Sequence, residues 1–448
     1  MYRAKRISKF IARPLVLGTM LLTVTGFITR MIGFFYRIYL SRLFGEEGMG
    51  IYQLISPVLG ISYSICAASY QTAISKYVAE YTKDTKDRQY KPLYAGLQIS
   101  IPLSLAVSVF IYTQAPWIAC NLLHEPRCTG MLRILPFSIP LSSIHACING
   151  YFYGLRNTAP PATAQLLEQL ARVGCVRYIA FQSLQNGASP TIDVAVWGLA
   201  CGELVSMLTS LCFLHHSKGK ITHTPAAPAP GGAQSHMLSS IITMALPLTL
   251  NRIVLNILAG IESVSIPISL RQSGLSNASA LSVYGVLTGM AMPLIFFPNA
   301  LTNSLSVLLL PMISENLAAG NHRNVRSIIL RTIKFCALFG LLFLTLFFLL
   351  GDFCGQRLFH SKLCGHFIRT LSFLCPFLYL DTTLSSILQG LGRAGTIFFM
   401  NLISLLVRLA FVFYVVPHFG ITGYLWGILT GQILLSILYL LCLRRYLQ

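Results

Sequence analysis

The chain has 448 residues, of which 54% are apolar and only 10% are charged. Soluble domains carry roughly 25% charged residues, so this composition excludes an ordinary soluble globular class. The net charge of +20 would suit a nucleic-acid binder. However, most lysines and arginines fall between apolar runs on one side of a predicted membrane, so the excess is topology and no nucleic-acid partner is expected.

Residues 1–14 form a basic N-terminus with Arg3, Lys5, Arg6, Lys9 and Arg13. The apolar run behind it continues to about Leu40 without a small-residue cleavage site, which predicts an uncleaved first helix over 15–40. Eleven further spans are predicted at 50–73, 93–118, 132–154, 160–184, 191–214, 238–268, 280–310, 328–350, 366–389, 396–416 and 421–442, each long enough for a ~30 Å hydrocarbon core. The predicted fold is an all-α polytopic membrane protein of twelve transmembrane helices. They form two six-helix pseudo-repeat lobes around a central cavity. The lobes, 15–216 and 237–448, flank a Pro/Gly/Ala-rich linker at 217–236. Charge asymmetry puts both termini in the cytoplasm.

Cations inside the spans are the sharpest chemical signal, because an arginine at the centre of a membrane helix costs roughly 2.5–3.5 kcal/mol on the insertion scale. In the first helix Thr23, Gly26, Arg30, Gly33, Arg37 and Ser41 share one face. Its glycines leave room for a bulky anion to reach guanidinium groups, which bind phosphate in bidentate fashion; the alternative is that they serve helix packing and Arg37 snorkels to the interface. Lys76 and Glu80 end the second helix as i,i+4 partners. On the fifth, Glu168 and Arg172 are spaced to pair, as a structural ion pair or as part of a gate, and Arg177 is expected to anchor the helix end. The seventh offers Arg252 between Asn251 and Asn256, a polar patch that suits a cavity wall. Arg408 of the eleventh has no acid on its own helix and needs a partner elsewhere or an anion. Glu203, Glu262 and Asp381 are the remaining intramembrane acids, either holders of a coupling proton or sodium ion or counter-ions of the arginines.

Other chemistry is sparse. Cys120/Cys128 and Cys354/Cys364 fall in predicted outer loops and could be oxidised there. The histidines around the linker, His215, His216, His223 and His236, lack a completing ligand, and no metal or cofactor is expected. The sequence contains no HExxH, GxSxG, P-loop or DxD motif, so no enzyme is predicted.

The halves repeat. Thr29-Arg30-Met31-Ile32 matches Asn251-Arg252-Ile253-Val254, Gln165-Leu166 with Leu170-x-Arg172 matches Asn401-Leu402 with Leu406-x-Arg408, and Gly154-Leu155 matches Gly390-Leu391. Trp197-Gly198-Leu199-x-x-Gly202-Glu203 matches Trp426-Gly427-Ile428-x-x-Gly431-Gln432 in the same order. Six helices per half makes these parallel repeats, a transporter arrangement.

The stretches TRMIGFFYRIYLSRLFGEEGMGIYQ (29–53), AISKYVAEY (73–81), INGYFYGLRNTAPPATAQLLEQLAR (148–172), GELVSML (202–208) and LLPMISE (309–315) resemble the stage V sporulation protein B group. Those are polysaccharide-export-like members of the superfamily that holds the lipid II flippases and the multidrug and toxin extrusion antiporters. The resemblance implies a two-lobed flippase of the bacterial plasma membrane that moves an undecaprenyl-pyrophosphate-linked saccharide by alternating access, for peptidoglycan and spore cortex synthesis. Cell-wall synthesis proteins are its implied partners. Essential first-helix arginines of the lipid II flippases carry over to Arg30 and, with a spacing one residue longer, to Arg37. Their eighth-helix arginine has no counterpart in VYGVLTGMAMP (283–293). Many relatives have fourteen helices, whereas the last apolar run here is followed by Arg444 and Arg445. Two other readings stand beside this one: a drug or cation antiporter of the same fold, whose cavity should present acids, and a non-transporting scaffold of a cell-wall complex.

Overall fold

The computed structural model describes residues 14–81, 89–218 and 233–447. The basic N-terminus through Arg13 and most of the 217–236 linker lie outside the described residues. Every regular element among the described residues is helical. Ten stretches are long and apolar enough to cross a membrane; the first, Leu21–Glu80, spans 60 residues, enough for two passes. Ala159–Gln185 completes twelve; it falls short on composition because Glu168, Arg172 and Arg177 interrupt it.

The passes are as follows. α1 is Pro14–Leu54, broken at Gly45 (φ 71°, ψ −173°), a backbone state that glycine adopts without penalty. α2 joins Ser56–Tyr63, a π turn at Ser64–Ala68 and Ser69–Glu80. α3 is Lys91–Trp117; α4 joins Cys128–Ile134 to Ser138–Gly154. α5 is Ala159–Gln185, α6 Asp193–Lys218 and α7 Ala233–Gln272. α8 begins with Asn277–Gly285, passes through a π turn at Val286–Ala291, and ends with Asn299–Ala318. α9 is His322–Phe359, and α10 joins Lys362–Leu371 to Cys375–Gly390. α11 is Ala394–Tyr414 and α12 Ile421–Leu447.

The chain forms two compact units. Unit 1 takes the described residues up to Ile32 and Ile55–Ile257; unit 2 takes Gly33–Leu54 and the chain from Leu258 onward. α1 and α7 are thus each divided between the units, a partition that a boundary at the linker does not anticipate.

Within unit 1 the π turn of α2 releases a backbone carbonyl from the helical ladder. The Cys66 oxygen accepts from Ser100 of α3 and Ser143 of α4, each at 2.9 Å, and the two hydroxyls also bond one another. Gly150 and Gly154 let α4 close on α2: a Cβ on either would overlap backbone oxygens of Gln71 or Ser75. Unit 2 repeats the device. A Cβ on Gly390 of α10 would stand 2.9 Å from the Leu310 oxygen of α8. Gly202 lies under the Glu168–Arg172 turn of α5, and Gly431 lies under Arg408 of α11 in the same way. The repeats therefore match in packing as well as in sequence.

Many large apolar side chains face outward, among them Leu338, Leu349 and Tyr414, each more than 70% exposed. In a polytopic protein that surface faces lipid. All twelve cysteines are free thiols. The two outer pairs lie on helices rather than in loops: Cys120 in the π turn after α3, Cys128 at the start of α4, Cys354 on α9 and Cys364 on α10.

Candidate functional site

α2, α4 and α7 of unit 1 enclose an open cavity of about 570 Å³, whose polar wall includes Tyr63, Gln71, Thr72, Lys76, Tyr153 and Arg252. Its geometry starts from Asn256. That amide donates to Ser64 Oγ at 2.7 Å, and Gly60 leaves the space for it, since a Cβ there would stand 3.4 Å from Asn256 Oδ1. Asn256 so fixes α7 on α2, and Arg252, one turn earlier, shares its face. Tyr77 Oη donates to the Ser240 carbonyl at 3.2 Å and ties the other end.

Charge in this cavity is unbalanced. Arg252 is half-buried and pairs with no carboxylate among the described residues. Lys76 reaches Glu80 only at 3.8 Å, and both side chains are more than half exposed, a pairing of small worth. Two cations with one loosely held acid favour an anionic occupant.

The other sequence candidates are distributed as follows. Arg30 belongs to the part of α1 in unit 1; it is exposed, with no acid partner among the described residues, and is not in the cavity wall. Around Gly26 a Cβ would meet nothing within 4 Å, so α1 is unpacked at that point. Gly33 and Arg37 are half-buried and belong to unit 2. Arg177 is exposed near the end of α5.

Glu168 accepts from Arg172 Nη2 at 2.5 Å, and both are largely buried. Beside them Glu203 Oε2 stands 3.1 Å from His145 Nδ1. In unit 2 Arg408 forms a bidentate pair with the buried Glu262 of α7, at 2.8 and 2.6 Å, and Tyr424 Oη donates to the same carboxylate at 3.0 Å. This is the partner that α11 itself lacks. Asp381 is buried and accepts from Gln432 Nε2 and Ser436 Oγ, each at 2.6 Å.

His145, Tyr63 and Tyr424 were not singled out by the sequence reading. The repeat contains the signal for His145. The spacing that relates Gly154 to Gly390 also relates His145 to Asp381, and the tryptophan alignment sets Glu203 opposite Gln432. Each unit thus holds one acid in the same polar pair, with the acid moved from one helix to the other.

The chain is 29% identical to stage V sporulation protein B of Bacillus subtilis over 426 residues, 94% of this chain and 82% of that protein. It is 22% identical to lipid II flippase MurJ of the same organism over 400 residues, 85% of this chain and 73% of that protein. Among solved structures, an inward-facing multidrug resistance MATE family transporter of the MOP superfamily superposes with a TM-score of 0.71 at 17% identity, covering 94% of both chains. A lipid II flippase MurJ in an inward closed conformation gives 0.69 at 16% identity, over 95% of this chain and 87% of that one. These likenesses show the fold: a polytopic, two-lobed, all-α membrane architecture. The MatE family model matches residues 258–414. The family model described as polysaccharide biosynthesis protein matches residues 15–317, more than half of the chain, and the protein belongs to that family.

Proposed function

We propose that the protein is a flippase that carries an undecaprenyl-pyrophosphate-linked saccharide, a peptidoglycan precursor for cell wall or spore cortex, across the plasma membrane by alternating access. Both termini are cytoplasmic, and the lobes 15–216 and 237–448 are the moving repeats. The observation that carries this reading is the unit 1 cavity, where Arg252 and Lys76 outnumber the single exposed acid beside them. A pyrophosphate supplies the missing charge, and guanidinium holds it by paired hydrogen bonds. Arg30 and Arg37 on α1, with Gly26 and Gly33 giving access, extend the anion path. The Glu168–Arg172 and Glu262–Arg408 pairs support the cavity walls, because each buried arginine is already neutralised. The name of the lipid II flippase relative and the polysaccharide family match support this substrate class. A cationic drug would face like charge in the same cavity.

The test is headgroup accessibility of a fluorescent lipid-linked precursor in proteoliposomes. Wild type should move the headgroup, and Arg252→Ala and Arg30→Ala should fail while remaining folded by circular dichroism. Movement unaffected by both substitutions would overturn the arginine-lined route. A wild type inert toward every precursor would favour the scaffold reading, in which cell-wall synthesis proteins are the partners.

A further inference from the structure

The cluster of His145, Glu168, Arg172 and Glu203 lies beside the cavity, and its charges do not cancel. Glu168 and Arg172 form a neutral pair. Glu203 is left with His145, a residue only 8% exposed. His145 Nδ1 and Glu203 Oε2 are both buried and have no other hydrogen-bond partner among the described residues. At 3.1 Å these atoms repel unless a hydrogen lies between them. With a neutral imidazole the cluster carries one negative charge inside the membrane region, which is costly there. With one further proton it is neutral.

Unit 2 meets the same position with neutral hydrogen-bond donors in place of an imidazole. There the acid is Asp381, and an amide and a hydroxyl donate to its two oxygens at 2.6 Å each. Unit 1 has an imidazole where unit 2 has that aspartate, and a glutamate where unit 2 has the glutamine. The permanent amide donor is therefore replaced by a group that donates or accepts according to its protonation.

The groups facing His145 are Glu203 of α6 and Glu168 and Arg172 of α5. Tyr63 of α2 lies within electrostatic reach of both glutamates, and of Tyr153 of α4 and Arg252 of α7. α3 presents Ser100 to the Ser143 turn of α4. Arg252 forms an ion pair with neither glutamate among the described residues. One donor atom from each of His145, Glu168 and Glu203 lies within 4.8 Å of the others, a spacing that also suits a metal ion. Arg172, however, already donates to Glu168, and a metal would have to displace that guanidinium and sit beside its charge.

We propose that unit 1 contains a proton-binding site in which His145 and Glu203 share one exchangeable proton, and that its gain and loss switch the cluster between neutral and singly negative. The two groups act as a pair, so a proton gained or lost there belongs to the pair and not to either residue alone. It does not depend on which substrate the protein moves.

The experiment is infrared difference spectroscopy on the full chain in proteoliposomes with ring-labelled histidine. One arm steps the buffer from mildly alkaline to mildly acidic pH; two others add sodium or zinc at constant pH. Beside the bands of the chain's other histidines, wild type should show an imidazole band and a carboxylate band that titrate together, and this pair of bands should be lost in His145→Gln and in Glu203→Gln. Glu203→Asp keeps the carboxylate but withdraws it from the ring, and should separate the two midpoints. This milder change, with the substitution-free wild-type arms, keeps the test decisive if a glutamine variant misfolds. The proposal is overturned if the imidazole titrates in Glu203→Asp as in wild type. It is also overturned if the wild-type bands answer to sodium or zinc and not to pH.

Discussion

Arg408 and Arg252 are repeat-family arginines with opposite fates. Arg408 is held by two hydrogen bonds to Glu262, and Tyr424 completes the carboxylate, so its charge is spent on structure. Breaking a buried pair by removing one partner costs about 3–5 kcal/mol, because the remaining charge is stranded. Glu262→Gln should therefore lower the thermal unfolding midpoint in detergent, and Glu262→Leu with Arg408→Leu should recover most of it. A Glu262→Gln protein as stable as wild type would remove the structural role. Arg252 has no such partner among the described residues, and Arg252→Ala should leave the midpoint nearly unchanged while abolishing headgroup movement. The sequence supplied both arginines, but the acid that silences one of them is 146 positions away and becomes visible only when α7 meets α11.

At the scale of the helix, glycines separate packing from access. Gly431 faces Arg408, where a Cβ would stand 2.8 Å from Cγ, and Gly150 faces the backbone of Gln71. Overpacking of this kind costs about 1–3 kcal/mol, so Gly150→Val should cut folded yield measured by size-exclusion chromatography. Gly26 is the contrast, with nothing within 4 Å of a Cβ. Gly26→Leu should fold normally, and a selective loss of headgroup movement would show that the open face of α1 admits substrate. Both glycines lie on helices the hydropathy pattern already predicts. Their difference was not legible in the sequence, since glycine beside a membrane arginine suits packing and ligand access equally well. The helices themselves were legible: each predicted span overlaps an observed pass, including α5, because its periodicity survives three charges.

For the molecule as a whole, the two units show that neither α1 nor α7 belongs wholly to one half. Under the flippase reading the moving headgroup is anionic, and an inside-negative potential favours its outward passage by ~2.3 kcal/mol per charge per 100 mV. Imposing a potassium diffusion potential, inside negative, on proteoliposomes should raise the rate of outward headgroup movement, and reversing its sign should lower it. Equal rates under both signs would mean that the headgroup crosses with its charge compensated. The membrane class, the number of passes, the repeat and the basic bias of the spans are legible along the chain. Each of these is a sum over local hydropathy, charge and matched motifs along the chain. Which charges are spent depends on how the helices pack: Arg408 on Glu262, Arg172 on Glu168, and Glu203 against His145, leaving Arg252 over its cavity. Ion pairing depends on separations of a few ångströms between distant helices, and no pattern along one helix fixes which partner arrives there.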